Sequence, residues 1–243
     1  MDTVTIRYRF TFPDGSQESF NVQLGAQDLE AVGNTPEVLP SWTKLDFHQC
    51  PNCPLNTRTH PHCPLAADLV NIVRRFERLV SYDEIHVDVI TEERTISQDT
   101  TAQRGASSLM GLVMATSGCP HTVFFKPMAR FHLPLASEEE TLYRTTSTYL
   151  LAQYFLKKEG QEADLELEGL SKIYHNMQVV NNTIAERLRA ATETDSTVNA
   201  IILLDIFAKA LPYIIEDSLE ELRYLFTPFL MKSAGSKKDD TQG

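Results

Sequence analysis

Residues 47–64, FHQCPNCPLNTRTHPHCP, hold three of the chain's four cysteines, and the fourth lies far downstream in residues 118–121, GCPH. Every cysteine is followed by proline, in the pairs Cys50-Pro51, Cys53-Pro54, Cys63-Pro64 and Cys119-Pro120. The order is C-x2-C-x9-C-x55-C, and four of the seven histidines, His48, His60, His62 and His121, sit beside it. Two thiolates separated by two residues can grip one ion from a single tight turn, and two more arriving from elsewhere close a tetrahedron. Cys50, Cys53, Cys63 and Cys119 are therefore the candidate ligands of one metal. A full set of four sulfurs leaves no open coordination position, which points to a structural zinc site.

A sulfur-only set suits a 4Fe–4S cluster equally well, so an iron–sulfur redox or sensor protein is the alternative. A third reading lets His48, His60, His62 or His121 replace one thiolate, leaving a water on the metal and room for catalysis. Whether the chain is an enzyme stays open, because no nucleophile motif, phosphate loop or nucleotide fingerprint accompanies these residues. The Cys50–Cys53 spacing also resembles that of glutaredoxin-like dithiols, but those need a helix starting at the first cysteine. Pro54 and Pro61 oppose a helix there.

Working outward, the chain toward the N-terminus alternates. Val4, Ile6, Tyr8, Phe10 and Phe12 interleave with Thr5, Arg7, Arg9 and Thr11, the period of a half-buried strand. Pro13-Asp14-Gly15-Ser16 is turn chemistry, and Phe20, Val22 and Leu24 resume the alternation, predicting a β-hairpin. Residues 25–40 read as a loop, and 41–48 as a third strand with Leu45 and Phe47 inward. On the other side, Pro64 at the first helical position and Cys63 at the cap predict an amphipathic helix over 65–80. Ile85, Val87 and Val89 predict another strand, with 94–98 pairing back against it. A further helix should contain Ala106, Leu109, Met110 and Val113 and end at Gly118 in the left-handed region. Cys119 follows at once.

Beyond Pro134 helical signals dominate. Ser137 with Glu140 is a capping box opening a helix to Lys158. Leu170, Ile173, Met177, Val180 and Ile184 follow a 3-4 spacing that predicts a long helix over 164–191 with a packing seam. Asp195-Ser196 caps a third helix through Leu211, and Asp217-Ser218 begins a fourth. The expected fold is α+β: a small antiparallel sheet with two packed helices and the Cys-rich site over 1–133, an antiparallel helical bundle over 134–232, and a disordered tail over 233–243.

The formal net charge of −11 opposes attraction to nucleic acid or anionic membranes. The longest apolar run, 198–215, contains Asp205, Lys209 and Pro212 and reads as a buried helix rather than a membrane span. Residues 1–10 show no basic segment followed by an apolar one, so a cytoplasmic location is expected, where four cysteines favour metal binding over disulfides. The bundle is the expected surface for a protein partner or for homo-oligomer formation. Residues 111–135, GLVMATSGCPHTVFFKPMARFHLPL, together with the CPNCPL stretch, resemble an uncharacterised bacterial protein family of unknown function. That resemblance covers most of the chain and implies a bacterial origin without implying an activity.

Overall fold

Strand alternation places one face of every hairpin residue pair in the core. The computed structural model describes residues 3–33, 35–76, 79–192 and 195–236. β1 (Thr3–Thr11) and β2 (Gln17–Gly25) form the antiparallel hairpin, with Gly15 at φ 79° in its turn. That turn needs a positive φ, which glycine adopts without steric cost. β3 (Glu84–Ile90) pairs antiparallel with β1, and β4 (Thr95–Thr101) with β3, so the sheet order is β2-β1-β3-β4. Ile6, Tyr8, Phe10, Phe20, Val22, Leu24, Ile85, Val87 and Val89 are all buried on its packed face.

α1 (Pro64–Phe76) and α2 (Ala102–Thr116) cover that face. Phe76 closes α1 against the sheet, its ring 5.0 Å from Phe10 edge-on and 5.8 Å from Phe20. Such aromatic pairs add to the gain from burial. α2 lies so close to the strands that a Cβ on Gly105 would stand 3.0 Å from Ile85 and 3.1 Å from Phe10. Glycine is the residue that permits this approach.

The helical half follows the short α3 (Lys126–Arg130). α4 (Glu138–Lys158) opens with both arms of the capping box: Glu140 N donates to Ser137 Oγ at 3.1 Å, and Ser137 N to the Glu140 carboxylate at 2.8 Å. α5 (Glu168–Ala191) and α6 (Ser196–Glu221) pack against each other, with Gln178 meeting Ala208 and the Tyr174 ring meeting Phe207. A 3-10 turn at Arg223–Phe226 leads into α7 (Thr227–Ser236). Leu170, Met177, Val180 and Ile184 of the seam are buried, and α5 and α6 pack on α1 and α2. The molecule is thus α+β, and one hydrophobic cluster includes residues on both sides of Pro134.

Several local expectations are corrected. Residues 41–48 form no strand: Ser41–Thr43 is a 3-10 turn, and His48 sits at φ 47°, a left-handed geometry that no strand accommodates. α1 is described as far as Phe76, residues 77–78 of the expected helix lie outside the described residues and 79–80 are not helical, and α5 begins at Glu168 rather than at 164. α2 closes on Ser117, whose backbone N–H and hydroxyl both reach Met114 O, so no left-handed glycine is needed at Gly118. No new helix begins at Asp217-Ser218, because α6 runs unbroken through Pro212 to Glu221. Of the tail expected from 233, residues 233–236 continue α7 and the rest lie outside the described residues.

Candidate metal centre

Pro40 and Pro61 limit how the chain can pair around the cysteines, and a minimal antiparallel bridge results. Lys44 pairs with His62, Cys63 N donates to Thr43 O at 2.8 Å, and Leu45 N donates to Pro61 O at 3.0 Å. This bridge closes the base of a loop that carries Cys50 and Cys53 at its far end. There Cys53 N donates to Cys50 O at 3.0 Å across Pro51-Asn52. The expected tight turn is present.

Cys63 precedes α1 as its spacing required, with its carbonyl accepting from Ala67 N at 2.9 Å. Cys119 precedes the 3-10 turn Pro120–Phe125, and the tertiary fold brings this distant segment alongside. A Cβ on Gly118 would lie 3.5 Å from Pro64, and His121 Nε2 donates to Asn52 O at 2.8 Å. The four thiols lie within range of one another's charge: Cys119 interacts with Cys50, Cys53 and Cys63, and those three interact mutually. All four are free thiols. Among the described residues, no three His, Cys, Asp or Glu side chains are grouped closely enough to hold one ion.

Burial suppresses ionisation at Cys50, Cys63 and Cys119. Burial pushes Cys119 up to about 12, with the neighbouring sulfur charges adding to the effect. Burial likewise raises Cys63, opposed by the Ala66 N–H at the start of α1, and raises Cys50, opposed by the Thr183 hydroxyl. Thiols in such an environment stay protonated and weakly nucleophilic. A cation placed among them would reverse that preference, since the thiolate is the form that binds metal.

The histidines take other partners. His62 Nδ1 stands 2.7 Å from Thr43 Oγ1, which itself donates to Pro40 O, so the ring nitrogen carries the proton. His48 Nδ1 lies 3.1 Å from the Glu186 carboxylate, and His60 Nδ1 2.9 Å from Thr59 Oγ1 at the exposed edge of the loop. His121 positions the Cys50–Cys53 turn through Asn52 O.

α5 supplies what the cysteine pattern alone does not show. Asn176 Oδ1 accepts from Asn52 Nδ2 at 3.0 Å, and Thr183 reaches Cys50. Arg187, only 1% exposed, donates from Nη1 to Trp42 O at 2.8 Å and Lys44 O at 2.7 Å, and from Nη2 to Leu45 O at 3.1 Å. Its charge acts on Cys50, Cys53 and Cys63. Sequence carried a signal for it: Arg187 continues the 3-4 spacing three residues after Ile184, and a cation on a packing seam needs a dedicated partner.

No curated protein and no solved structure matches the chain. A family model matches residues 6–227, nearly the whole length over which the sheet, the cysteine junction and the helices are built. The chain belongs to that family, whose description is "Domain of unknown function (DUF6901)".

Proposed function

We propose that this is a cytoplasmic metal-binding protein in which Cys50, Cys53, Cys63 and Cys119 hold one structural zinc ion. Arg187 is the observation that carries the reading. A buried guanidinium is costly unless an anion lies beside it. The hydrogen-bond partners of Arg187 are neutral carbonyls, and Asp46, a carboxylate whose charge reaches it, is itself exposed. The remaining charge partners are Cys50, Cys53 and Cys63, and burial raises the Cys50 and Cys63 thiols and so favours their neutral form. Zinc bound by four thiolates carries a net charge of −2, and that anion beside Arg187 accounts for the cation's burial.

Elemental analysis of the purified chain tests the proposal. One zinc per chain, with X-ray absorption reporting four sulfur neighbours, supports it. Iron with visible absorbance selects the iron–sulfur alternative, and three sulfurs with one nitrogen or oxygen select the catalytic variant with a histidine. Protein without either metal and with four freely alkylated thiols overturns the metal reading altogether.

Association through the helical part needs a surface other than the α5 seam, which is consumed inside the chain. The proposed surface is α4, and the proposed occupant is a second copy. Tyr143, Leu150 and Tyr154 lie exposed at heptad-like spacing, flanked by Leu151 and Phe155. Glu138, Glu139 and Glu140 stand at the start of the helix and Lys157 and Lys158 at its end, so a two-fold antiparallel pairing matches opposite charges. Sedimentation should report a dimer that Leu151→Glu and the double change Lys157→Glu, Lys158→Glu both dissociate. A monomer at high micromolar concentration overturns this assignment.

A further inference from the structure

Between α2, α4, α5 and α6 lies a cavity of about 670 Å³, with no cysteine among its lining residues. Its walls are mainly apolar, contributed by residues such as Leu112, Met114, Met177, Leu204 and Phe207. Cavities of this size and lining take small organic ligands, oriented by a few polar groups. Among the polar residues that line it, Arg144 and Asn181 stand apart from one another.

The first is Arg144, one and a half turns into α4. Its Nη2 donates to Met128 O at 2.8 Å and Phe131 O at 2.9 Å, which fixes the guanidinium at the cavity wall. Glu140, the carboxylate near it, is engaged by the backbone N–H of Ser137. Tyr174 marks the same level of α5, since the Arg144 charge acts on it and its hydroxyl bonds Thr145 at 2.6 Å. The second group is Asn181, 2% exposed, whose Oδ1 has no hydrogen-bond partner among the described residues. A buried carbonyl oxygen left unpaired is destabilising, and a ligand donor would relieve it. Asn181 lies seven residues beyond Tyr174 on the same helix, about 10 Å at the helical rise.

We propose that this cavity binds an amphipathic monocarboxylic acid with an apolar chain and a hydroxyl at the far end. The carboxylate pairs with Arg144, the chain lies along Met177, Leu204 and Phe207, and the hydroxyl donates to Asn181 Oδ1. The site is independent of the zinc proposal.

The test is calorimetric titration of the full chain with 10-hydroxydecanoate, decanoate and 1-decanol, below their aggregation concentrations. The hydroxy acid should bind tightest, and decanoate should exceed decanol about tenfold, the worth of one charge-assisted hydrogen bond. Arg144→Met should erase the acid-over-alcohol preference while Arg144→Lys retains part of it. Asn181→Leu should erase the preference for the hydroxy acid over decanoate. Gly111→Leu fills the cavity, because a Cβ there meets only Leu204, at 3.5 Å, and it should abolish all binding while the thermal melt shows a folded chain. Absence of binding by any of the three, equal binding of acid and alcohol, or undiminished binding by folded Gly111→Leu would each overturn the proposal.

Discussion

The side-chain amide of Gln178 donates to the carbonyl oxygen of Ala208 at 2.9 Å, joining α5 to α6 at a gap in the α6 ladder. Pro212 lies four residues after Ala208 and has no N–H, so that carbonyl lacks its intrahelical donor. Gln178 supplies the missing bond from outside. This is how α6 continues through a proline at which a helix would otherwise end.

Replacing Gln178 by Met keeps the volume and removes the donor, so it should cost about 1–2 kcal/mol in urea unfolding. In a Pro212→Ala background the ladder is complete and the same replacement should cost much less. Equal costs in the two backgrounds would show that the amide acts elsewhere.

Arg187→Met removes the donor shared by the carbonyls of Trp42, Lys44 and Leu45. With metal bound, stability should fall by roughly 3 kcal/mol, because a paired buried charge has been broken. With metal stripped by a chelator, the cost should shrink, since the cation then has no anion to neutralise. Unfolding curves with and without chelator make the comparison.

His132 gives a pH dependence. Its Nε2 lies 2.5 Å from Tyr8 Oη, and burial, reinforced by the Arg144 charge, lowers its pKa from 6.5 to about 3. The unfolded chain therefore takes up a proton below pH 6.5 that the folded chain refuses. Stability from this group is complete above pH 6.5 and is lost as pH falls toward 3, at a limiting slope of about 1.4 kcal/mol per pH unit. His132→Gln should flatten the stability profile between those limits, as read by denaturant titration at a series of pH values.

Gly105→Ala sets helix propensity against space. Alanine gains up to about 1 kcal/mol in a helix, yet its Cβ would press on Ile85, Phe10 and Val87 at 3.0–3.2 Å. All three are buried and cannot yield without disturbing the sheet. The expected net result is a loss of about 1–2 kcal/mol, measured as a lower melting temperature.

Much of the architecture was legible because one-sided burial imposes a period. Alternation from Val4 to Phe12 and from Phe20 to Leu24 could be satisfied only by a strand pair with one face in the core. The Ser137–Glu140 pair marked the start of α4 because orphan N–H groups there need those acceptors. At the cysteines, the turn at Cys50–Cys53 and the helix start at Cys63 were readable for the same local reason. The stretch 41–48 misled: Leu45 and Phe47 alternate, but the Leu45 backbone is claimed by Pro61 and by the Arg187 guanidinium, and the Phe47 N–H turns back to Lys44 O.

The sequence by itself determined the local elements, the hairpin turn, the α4 cap and the four Cys-Pro pairs, since each is decided by residues within a few positions of one another. Only the tertiary structure decided that the Cys119 segment comes alongside Pro64 and Asn52, that the Arg187 charge reaches Cys50, Cys53 and Cys63, and that Gln178 carries α6 past its proline. Those facts depend on pairings far apart in the chain, 69 positions between His121 and Asn52 and 145 between Arg187 and Trp42, and between two helices at Ala208. Such contacts form only once sheet, α1–α2 and α5–α6 share one core, and no local pattern records which partner the core will bring.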